Sequence, residues 1–302
     1  MRAFGRAGLL AALTGVVALL GATGVAAAST YTIGLSISTL NNPFFVDLKE
    51  GAEQKAAELG IRLIVLDAQN DPGRQLAGIE DLIAQRVDAI LINPTDSSAV
   101  VPAVLAANRA GIPVLTVDRG ADGGKVAAHI ASDNVAGGRM AGELIAQVLG
   151  GSGNVVELEG IPGTSAARDR GAGFNEVMRQ YPAIRIVARQ EAGFDRARGL
   201  TVMENILQAQ PRIDAVFAHN DEMALGALTA IEAAGRLGEI KVVGFDATAD
   251  AVKAVEEGRM LATVAQQPRL MGALGVETAL RVLRGESVPS YIPVPLELVT
   301  RP

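Results

Sequence analysis

From Tyr31 onward, short runs of β-branched residues alternate with longer amphipathic segments, and this alternation limits the chain to very few folds. The first run, YTIGLSI, is followed by PFFVDLKEGAEQKAAELG, in which Pro43 stands at a helix start and Gly60 just past a helix end. Strands separated by helices are typical of a parallel sheet covered by helices on both faces. The sequence therefore predicts an α/β protein.

The alternation comes in two series of similar size. The first has predicted strands at 31–37, 61–67, 88–94 and 113–118, and predicted helices at 43–60, 73–86 and 98–110. The pattern then restarts, with predicted strands at 126–132, 154–160, 184–190, 214–220, 240–246 and 261–266, predicted helices at 134–149, 165–180, 195–209, 221–235 and 268–284, and an extended tail containing IPVPLELV. Two such series predict two lobes rather than one oversized sheet. No Ser- or Gly-rich linker separates them, so we expect short ordered crossings that suit a hinge.

The first 28 residues differ in composition from the rest of the chain. Arg2 and Arg6 precede an apolar run at about 9–20, and small residues at 25–28 satisfy the small-x-small cleavage rule. The run has the length of a signal-peptide core and is shorter than the ~20 residues that span a bilayer. The chain has no cysteine, so disulfides, thiolate metal sites and a lipid anchor on cysteine are excluded. We predict a cleaved signal peptide at 1–28 and a soluble periplasmic protein, with an uncleaved membrane anchor as the alternative.

Polar and aromatic residues collect where the predicted strands end. Ligands of open parallel sheets bind outside the carboxyl ends of the strands, where the loops converge. A charge at a buried strand end is costly unless it is paired, so the charged members could also form a structural cluster among themselves. The candidate site residues at these ends are Asn42, Phe44, Phe45, Asp118, Arg119, Arg170, Phe194, Asn220, Asp246 and Gln266.

This combination of side chains matches the chemistry of a sugar. Carboxylates, amides and guanidiniums can satisfy hydroxyls, each of which both donates and accepts hydrogen bonds. The C–H faces of a sugar ring pack on aromatic rings. Phe44 and Phe45 are adjacent in a chain with only seven Phe, three Tyr and no Trp. Because a helix starting at Pro43 separates neighbouring side chains by about 100°, we expect both rings to border one cleft rather than to share a core.

Other functional classes find little support. The net charge of −6 argues against nucleic-acid binding, and the phosphate-binding patterns GxxxxGK[ST] and GxGxxG are absent. No GxSxG or HExxH motif is present. The segment DAQNDPG has Pro72 where a calcium loop requires glycine, and no glutamate follows at the twelfth position of the loop. His129 lies in an apolar strand and is interpreted as a core residue, whereas His219, near Glu222, leaves a general-base role open. The sequence therefore favours a binding protein that is not an enzyme and needs no cofactor or metal.

Seven segments resemble the class I periplasmic sugar-binding family, and its ribose-binding members in particular. They are STLNNPFF, INPTDS, HIASDN, GTSAARDRG, NDEMALGAL, VVGFD and ATVAQ. The resemblance covers residues 31–302 and implies two Rossmann-like lobes joined by three hinge crossings. It places the N-terminal lobe at 29–132 plus 267–295 and the C-terminal lobe at 133–266 plus 296–302.

The resemblance also implies a role for each candidate residue. Three rings would enclose the sugar and seven polar residues would bond to it: Phe44, Phe45 and Phe194, and Asn42, Asp118, Arg119, Arg170, Asn220, Asp246 and Gln266. Two neighbouring positions depart from the ribose-binding pattern, since His219 replaces an amide and Ala247 replaces a glycine. The implied mechanism is closure of the hinge around the sugar.

The implied ligand is a monosaccharide, D-ribose, with allose, another furanose or pyranose, or a sugar-like signal molecule as alternatives. The implied partner of the closed monomer is a membrane ABC permease and, in some relatives, a chemoreceptor. LacI-type repressors share this fold, so a ligand-sensing regulator core is a second alternative, although a signal peptide occupies the place of their helix-turn-helix. A secreted sugar-modifying enzyme that uses His219 or Glu222 is a third.

Overall fold

The computed structural model describes residues 31–301, so the predicted signal peptide at 1–28 lies outside the described residues. The strands are β1 (Thr32–Ile37), β2 (Arg62–Asp67), β3 (Ala89–Ile92), β4 (Val114–Val117), β5 (His129–Ala131), β6 (Gly153–Glu159), β7 (Ile184–Glu191), β8 (Ala215–Ala218), β9 (Lys241–Asp246), β10 (Ala262–Ala265), β11 (Tyr291–Pro293) and β12 (Glu297–Thr300). The helices are α1 (Pro43–Leu59), α2 (Pro72–Ala84), α3 (Val101–Arg109), α4 (Asn134–Val148), α5 (Ser165–Met178), α6 (Arg196–Ala209), α7 (Asp221–Ala233), α8 (Ala249–Glu256) and α9 (Pro268–Leu283). None of the helices in this part of the chain has both the length and the hydrophobicity needed to cross a membrane.

The strands form two six-stranded sheets. The first has the order β11-β5-β4-β3-β1-β2 and is parallel throughout. The second has the order β12-β10-β9-β8-β6-β7 and is parallel except for β12, which runs antiparallel to β10. Each sheet, with the helices packed on it, forms one lobe, called here the first and the second lobe. The predicted fold of two lobes with parallel sheets is confirmed.

Three elements differ from the sequence prediction. The pattern predicts that the second series begins with the strand at 126–132, but β5 pairs with β4 in the first sheet, with Val117 opposite Ile130. Helix α8 was not predicted, because it is only 8 residues long and buries little more than Ala251, Ala254 and Val255. The predicted extended tail contains two short strands instead.

Those two strands lie in different sheets, and this makes the third connection between the lobes. β11 pairs with β5 at the edge of the first sheet, and β12 pairs with β10 at the edge of the second. The chain therefore passes between the sheets three times, after β5, after β10 and between β11 and β12. All three connections are short, as a hinge requires.

Glycines allow three pairs of helices to pack in close contact. In the pair α1 and α9, a Cβ atom built on Gly51 would lie 2.1 Å from the carbonyl oxygen of Arg269, and one on Gly272 would lie 2.0 Å from that of Leu48. The pairs α4 with α5 and α6 with α7 have the same arrangement, at Gly138, Gly173, Gly199 and Gly226. These contacts fix the helices whose first turns face the opposite lobe.

Candidate functional site

The carboxyl ends of the two sheets face each other across a narrow cavity with about 10 Å³ of free volume. Nine of the ten predicted site residues line this cavity, together with Ala166, which was not predicted: Asn42, Phe44, Phe45, Asp118, Arg119, Arg170, Phe194, Asn220 and Asp246. The tenth, Gln266, does not line this cavity but donates a hydrogen bond of 2.8 Å to Asp246 Oδ1. The structure thus brings all ten residues together at the interface of the lobes.

Helix starts position two of the amides. The side-chain oxygen of Asn42 accepts a hydrogen bond of 3.0 Å from the backbone N–H of Phe44 and so caps α1. The side chain of Asn220 caps α7 in the same way, by accepting a bond of 3.0 Å from the backbone N–H of Met223. Because each cap precedes a helix that follows a strand end, both amides lie at the cavity.

Phe44 and Phe45 have two roles. Their rings meet edge to face, 5.2 Å apart, and both line the cavity. Each is only 3% exposed and belongs to the apolar core of the first lobe, together with Leu48 and Met271. The expectation that they border the cleft is compatible with the structure, but the expectation that they do not share a core is wrong.

Phe194 reaches the cavity from the second lobe. Its ring and that of Phe45 flank the guanidinium of Arg119, whose Cζ atom lies 5.1 Å and 5.0 Å from the two centroids. The ring packs directly on the backbone of Gly160, where a Cβ atom would come within 2.0 Å of it. A flat apolar surface therefore closes the cavity from each lobe.

The four charged residues of the cavity are buried but do not neutralise each other by hydrogen bonding. The shortest distances between opposite charges are 3.7 Å, from Arg119 Nε to Asp118 Oδ2 and from Arg170 Nη1 to Asp246 Oδ1. A hydrogen bond between such groups would measure about 2.7–2.9 Å. The charges therefore form two buried ion pairs, as the structural alternative predicts, but no hydrogen bond joins the partners of either pair.

Instead, the guanidiniums are held mainly by their surroundings. Arg170 donates to Asn134 Oδ1 at 2.8 Å and to the carbonyl oxygen of His219 at 2.6 Å, and its Cζ lies 3.8 Å from the ring centroid of Phe245. Arg119 donates to the carbonyl oxygen of Pro94 at 3.2 Å. These contacts hold both side chains in place at the cavity.

Several buried polar atoms at this site have no hydrogen-bond partner. Within residues 31–301 there are five such side-chain atoms, and three of them are Asp118 Oδ1, Arg119 Nε and Gln266 Oε1. A buried polar atom without a partner costs about 1–3 kcal/mol. One acceptor, on Asp118, and one donor, on Arg119, are therefore available to a polar molecule in the cavity, and a second acceptor lies on the neighbouring Gln266.

Backbone strain is concentrated at the same strand ends. Asp118, Phe194, Asp246 and Ala247 have φ angles of 62°, 60°, 119° and 55°, in the region that favours glycine. Such conformations cost of order 1–3 kcal/mol each and persist where the surroundings over-determine them. Three of these residues, Asp118, Phe194 and Asp246, line the cavity.

Burial controls the ionisation of two of the charged groups. It raises the pKa of Asp246 to about 7, although the nearby Arg170 opposes this effect. It also lowers the pKa of Arg119 to about 10, against the attraction of Asp118. A ligand that hydrogen-bonds to these two groups would replace the water lost on burial and would stabilise their charged forms.

We expect Asp246→Asn to raise the melting temperature of the ligand-free protein above pH 7. A carboxyl whose pKa is higher in the folded state stabilises the fold fully below its unfolded value of 3.8, and this stabilisation is lost as the pH rises through about 7. The amide has no such dependence, so the advantage of the variant should disappear near pH 4. Melting curves from pH 4 to 9 test this, with Asp71→Asn, at an exposed helix cap, as the control. An advantage independent of pH would contradict the assigned pKa.

His219 and Glu222, which the sequence left open as a catalytic pair, do not contact each other. His219 Nε2 lies 3.0 Å from Glu157 Oε1, and its Nδ1 accepts from the backbone N–H of Gly160 at 3.3 Å. Glu222 pairs instead with Arg196 at 2.7 Å. His219, the possible general base, is therefore fully buried and does not line the cavity.

His129 is half-buried in β5, rather than fully buried as the core interpretation implies. Its Nδ1 lies 2.8 Å from Thr116 Oγ1, and burial lowers its pKa.

In the described residues 31–301, no group of three or more His, Cys, Asp or Glu side chains is arranged to hold a metal ion.

Sequence reasoning missed three residues that support the site. Asn93 donates to Asp118 Oδ2 at 3.2 Å, Asn134 accepts from Arg170, and Ala166 lines the cavity. Asn93 and Asn134 also follow strand ends, so the rule used for the other residues could have found them. Ala166 has no polar signal.

The chain matches the family model of the periplasmic binding protein domain over residues 33–287. It is 54% identical over 291 residues to the ribose import binding protein RbsB of Haemophilus influenzae, covering 96% of this chain and 99% of that relative. The ribose import binding protein RbsB of Escherichia coli is 52% identical over 292 residues, covering 97% of this chain and 98% of that relative.

A solved structure shares the fold over nearly the whole described chain. The periplasmic solute binding protein of an ABC transporter from Actinobacillus succinogenes, with bound D-allose, superposes with a TM-score of 0.85 at 36% identity, covering 90% of this chain and 98% of that one. These three relatives are named as binding proteins, in agreement with the prediction that the chain is not an enzyme. The chain belongs to the periplasmic binding protein family.

Proposed function

We propose that this protein binds one molecule of D-ribose between its lobes and delivers it to a membrane ABC importer. The observation that carries the proposal is the pair of buried, unpartnered polar atoms on Asp118 and Arg119 at a cavity walled by aromatic rings. Two carboxyl groups face two guanidiniums, so acceptors and donors lie side by side in the cavity, which favours a polyol over an ion of either sign. The high identity to two relatives named for ribose import supports ribose over D-allose.

Each side chain has a chemical role in this proposal. Asp118 Oδ1 and Gln266 Oε1 accept hydrogen bonds from sugar hydroxyls, and Arg119 Nε donates one. Phe45 and Phe194 pack against the C–H faces of the ring. The other polar residues of the cavity complete the hydroxyl contacts: Asn42, Arg170, Asn220 and Asp246.

Binding is coupled to closure because the contacts come from both lobes. The described conformation is closed, and it also has direct bonds between the lobes. The backbone N–H of Ser97 donates to the carbonyl oxygen of Gly163 at 2.9 Å, and Arg168 pairs with Asp122 at 2.9 Å. A sugar that bonds to both lobes lowers the free energy of the closed state only, so it shifts the population toward closure.

The remaining assignments belong to the same proposal. The signal-peptide composition of residues 1–28 supports export to the periplasm, where a soluble monomer would meet the permease and, in some systems, a chemoreceptor. We place the lobe boundaries at 29–132 plus 267–295 and at 133–266 plus 296–302. The membership of β5, β10, β11 and β12 in the two sheets supports these boundaries.

A thermal-shift panel tests the proposal. D-Ribose at 100 times its Kd should stabilise the protein by about 2.7 kcal/mol, because it binds only the folded state. D-Allose, D-xylose and myo-inositol at equal concentration should give smaller shifts. A shift with another sugar but not with D-ribose would overturn the sugar assignment, and no shift with any monosaccharide would overturn the function.

A further inference from the structure

Asp221 is a fully buried carboxylate that does not line the cavity. It is the first residue of α7, directly after Asn220. Its Oδ2 accepts from the backbone N–H of Thr248 at 2.7 Å and from Thr248 Oγ1 at 3.3 Å, and its Oδ1 accepts from Thr263 Oγ1 at 2.7 Å. Three donors therefore converge on one carboxylate behind the site.

These bonds hold the turn that follows β9. Thr263 Oγ1, besides donating to Asp221, accepts from the backbone N–H of Ala247 at 3.2 Å. Two consecutive N–H groups are thus held by Asp221, that of Thr248 directly and that of Ala247 through the threonine. The carboxylate packs on the backbone of Gly244 in β9, where a Cβ atom would come within 2.2 Å of Oδ1. A side chain at position 244 would therefore collide with the carboxyl group of Asp221.

The turn held in this way is strained. Asp246 and Ala247 have φ angles of 119° and 55°, and neither is a glycine. A conformation of this kind persists only where its surroundings over-determine it. Without Asp221, both N–H groups would lose their anchor and the turn would be free to relax. The side chain that would move is Asp246, which lines the cavity and binds Gln266.

We propose that Asp221 is a positioning residue for sugar binding, which fixes the turn at residues 246–248 so that the carboxylate of Asp246 faces the ligand. The inference rests on the proposed function of the cavity. Asp221 is buried and does not line the cavity. Burial and the neighbouring Asp246 raise its pKa well above the usual range. The charged groups that face Asp246 from the other elements are Arg170, Asp118 and Arg119.

The test is a double-mutant cycle read by calorimetry. Asp221→Ala should weaken D-ribose binding about tenfold or more, equivalent to ~1.4 kcal/mol. In an Asp246→Asn background, the same change should have little further effect, because Asp221 acts through Asp246. Asp221→Asn should recover most of the loss, since its oxygen can accept from Thr248 and its amide can donate to Thr263. An unchanged Kd for Asp221→Ala, or losses that add fully, would overturn the proposal.

Thr263→Val keeps the test decisive if Asp221→Ala does not fold. This variant has nearly the same shape and removes both the bond to Asp221 and the bond from Ala247 but keeps the direct bond of Asp221 to Thr248, so it should weaken binding severalfold. Thr229→Val, which removes a hydroxyl that bonds to the carbonyl of Leu225 within α7, is the matched control. A crystal structure of ligand-free Thr263→Val should show residues 246–247 relaxed toward negative φ. That readout needs no sugar, so an unrelaxed turn would refute the positioning role, whereas a failure of ribose to bind would refute the proposed function.

Discussion

Asp118→Asn is expected to weaken D-ribose binding by about 10- to 150-fold, which corresponds to the ~1.5–3 kcal/mol of a hydrogen bond to a charged group. Asparagine has the same shape, tolerates the positive φ of 62° and can still accept the bond from Asn93. It replaces the unpartnered acceptor Oδ1 by an amide that donates. The change therefore removes one contact to the sugar with little change in geometry.

Calorimetric titration of the folded variant measures this loss. The unfolding free energy should change less than the binding free energy, because Asp118 and Arg119 are 3.7 Å apart and share no hydrogen bond. Asp71→Asn removes the same charge from an exposed helix cap of the first lobe and should bind like the wild type. Wild-type affinity for Asp118→Asn would show that this carboxylate does not contact the sugar.

Gly272→Ala is expected to lower the free energy of unfolding by about 1–3 kcal/mol or more, as overpacking of a well-packed interface does. The added methyl would lie 2.0 Å from the carbonyl oxygen of Leu48 in α1, and backbone cannot turn away as a flexible side chain can. α9 must then move away from α1. Because the first turn of α1 has Phe44 and Phe45 at the cavity, ribose affinity should fall as well.

Gly78→Ala is the matched control for this experiment. Gly78 also lies inside a helix of the first lobe, but its added Cβ would meet the end of the Leu66 side chain at 3.2 Å, which can adjust. Alanine favours the helix by about 1 kcal/mol, so this variant should be neutral or slightly stabilised. Chemical denaturation compares the two. Equal stability of the two variants would contradict the close packing of α1 on α9.

The candidate site was largely predictable from the sequence because parallel sheets put their ligands at strand carboxyl ends. Asp118 and Asp246 are polar residues directly after apolar runs, and such a position is unusual enough to mark them. The same rule of strand ends found the other candidates, including Phe194, and the family resemblance then implied a role for each. Alternation of strands and helices predicted the two sheets in the same way.

What could not be predicted depends on contacts between distant residues. The 3.7 Å separation of Arg170 from Asp246, which leaves this ion pair without a hydrogen bond, has no local signature. The pairing of His219 with Glu157 spans 62 positions and displaced the expected partner, Glu222. Phe44 and Phe45 could be assigned to a cleft or to a core, and only the packing of α9 shows that they serve both.

The most direct test of the account is a calorimetric titration of the exported protein with D-ribose. The account predicts saturable binding of one sugar per chain, because the unpartnered groups of Asp118 and Arg119 lie together at one cavity between the lobes. It also predicts that Asp118→Asn weakens this binding and that Asp71→Asn does not. Absence of binding by folded wild-type protein, or equal affinity in Asp118→Asn, would contradict it.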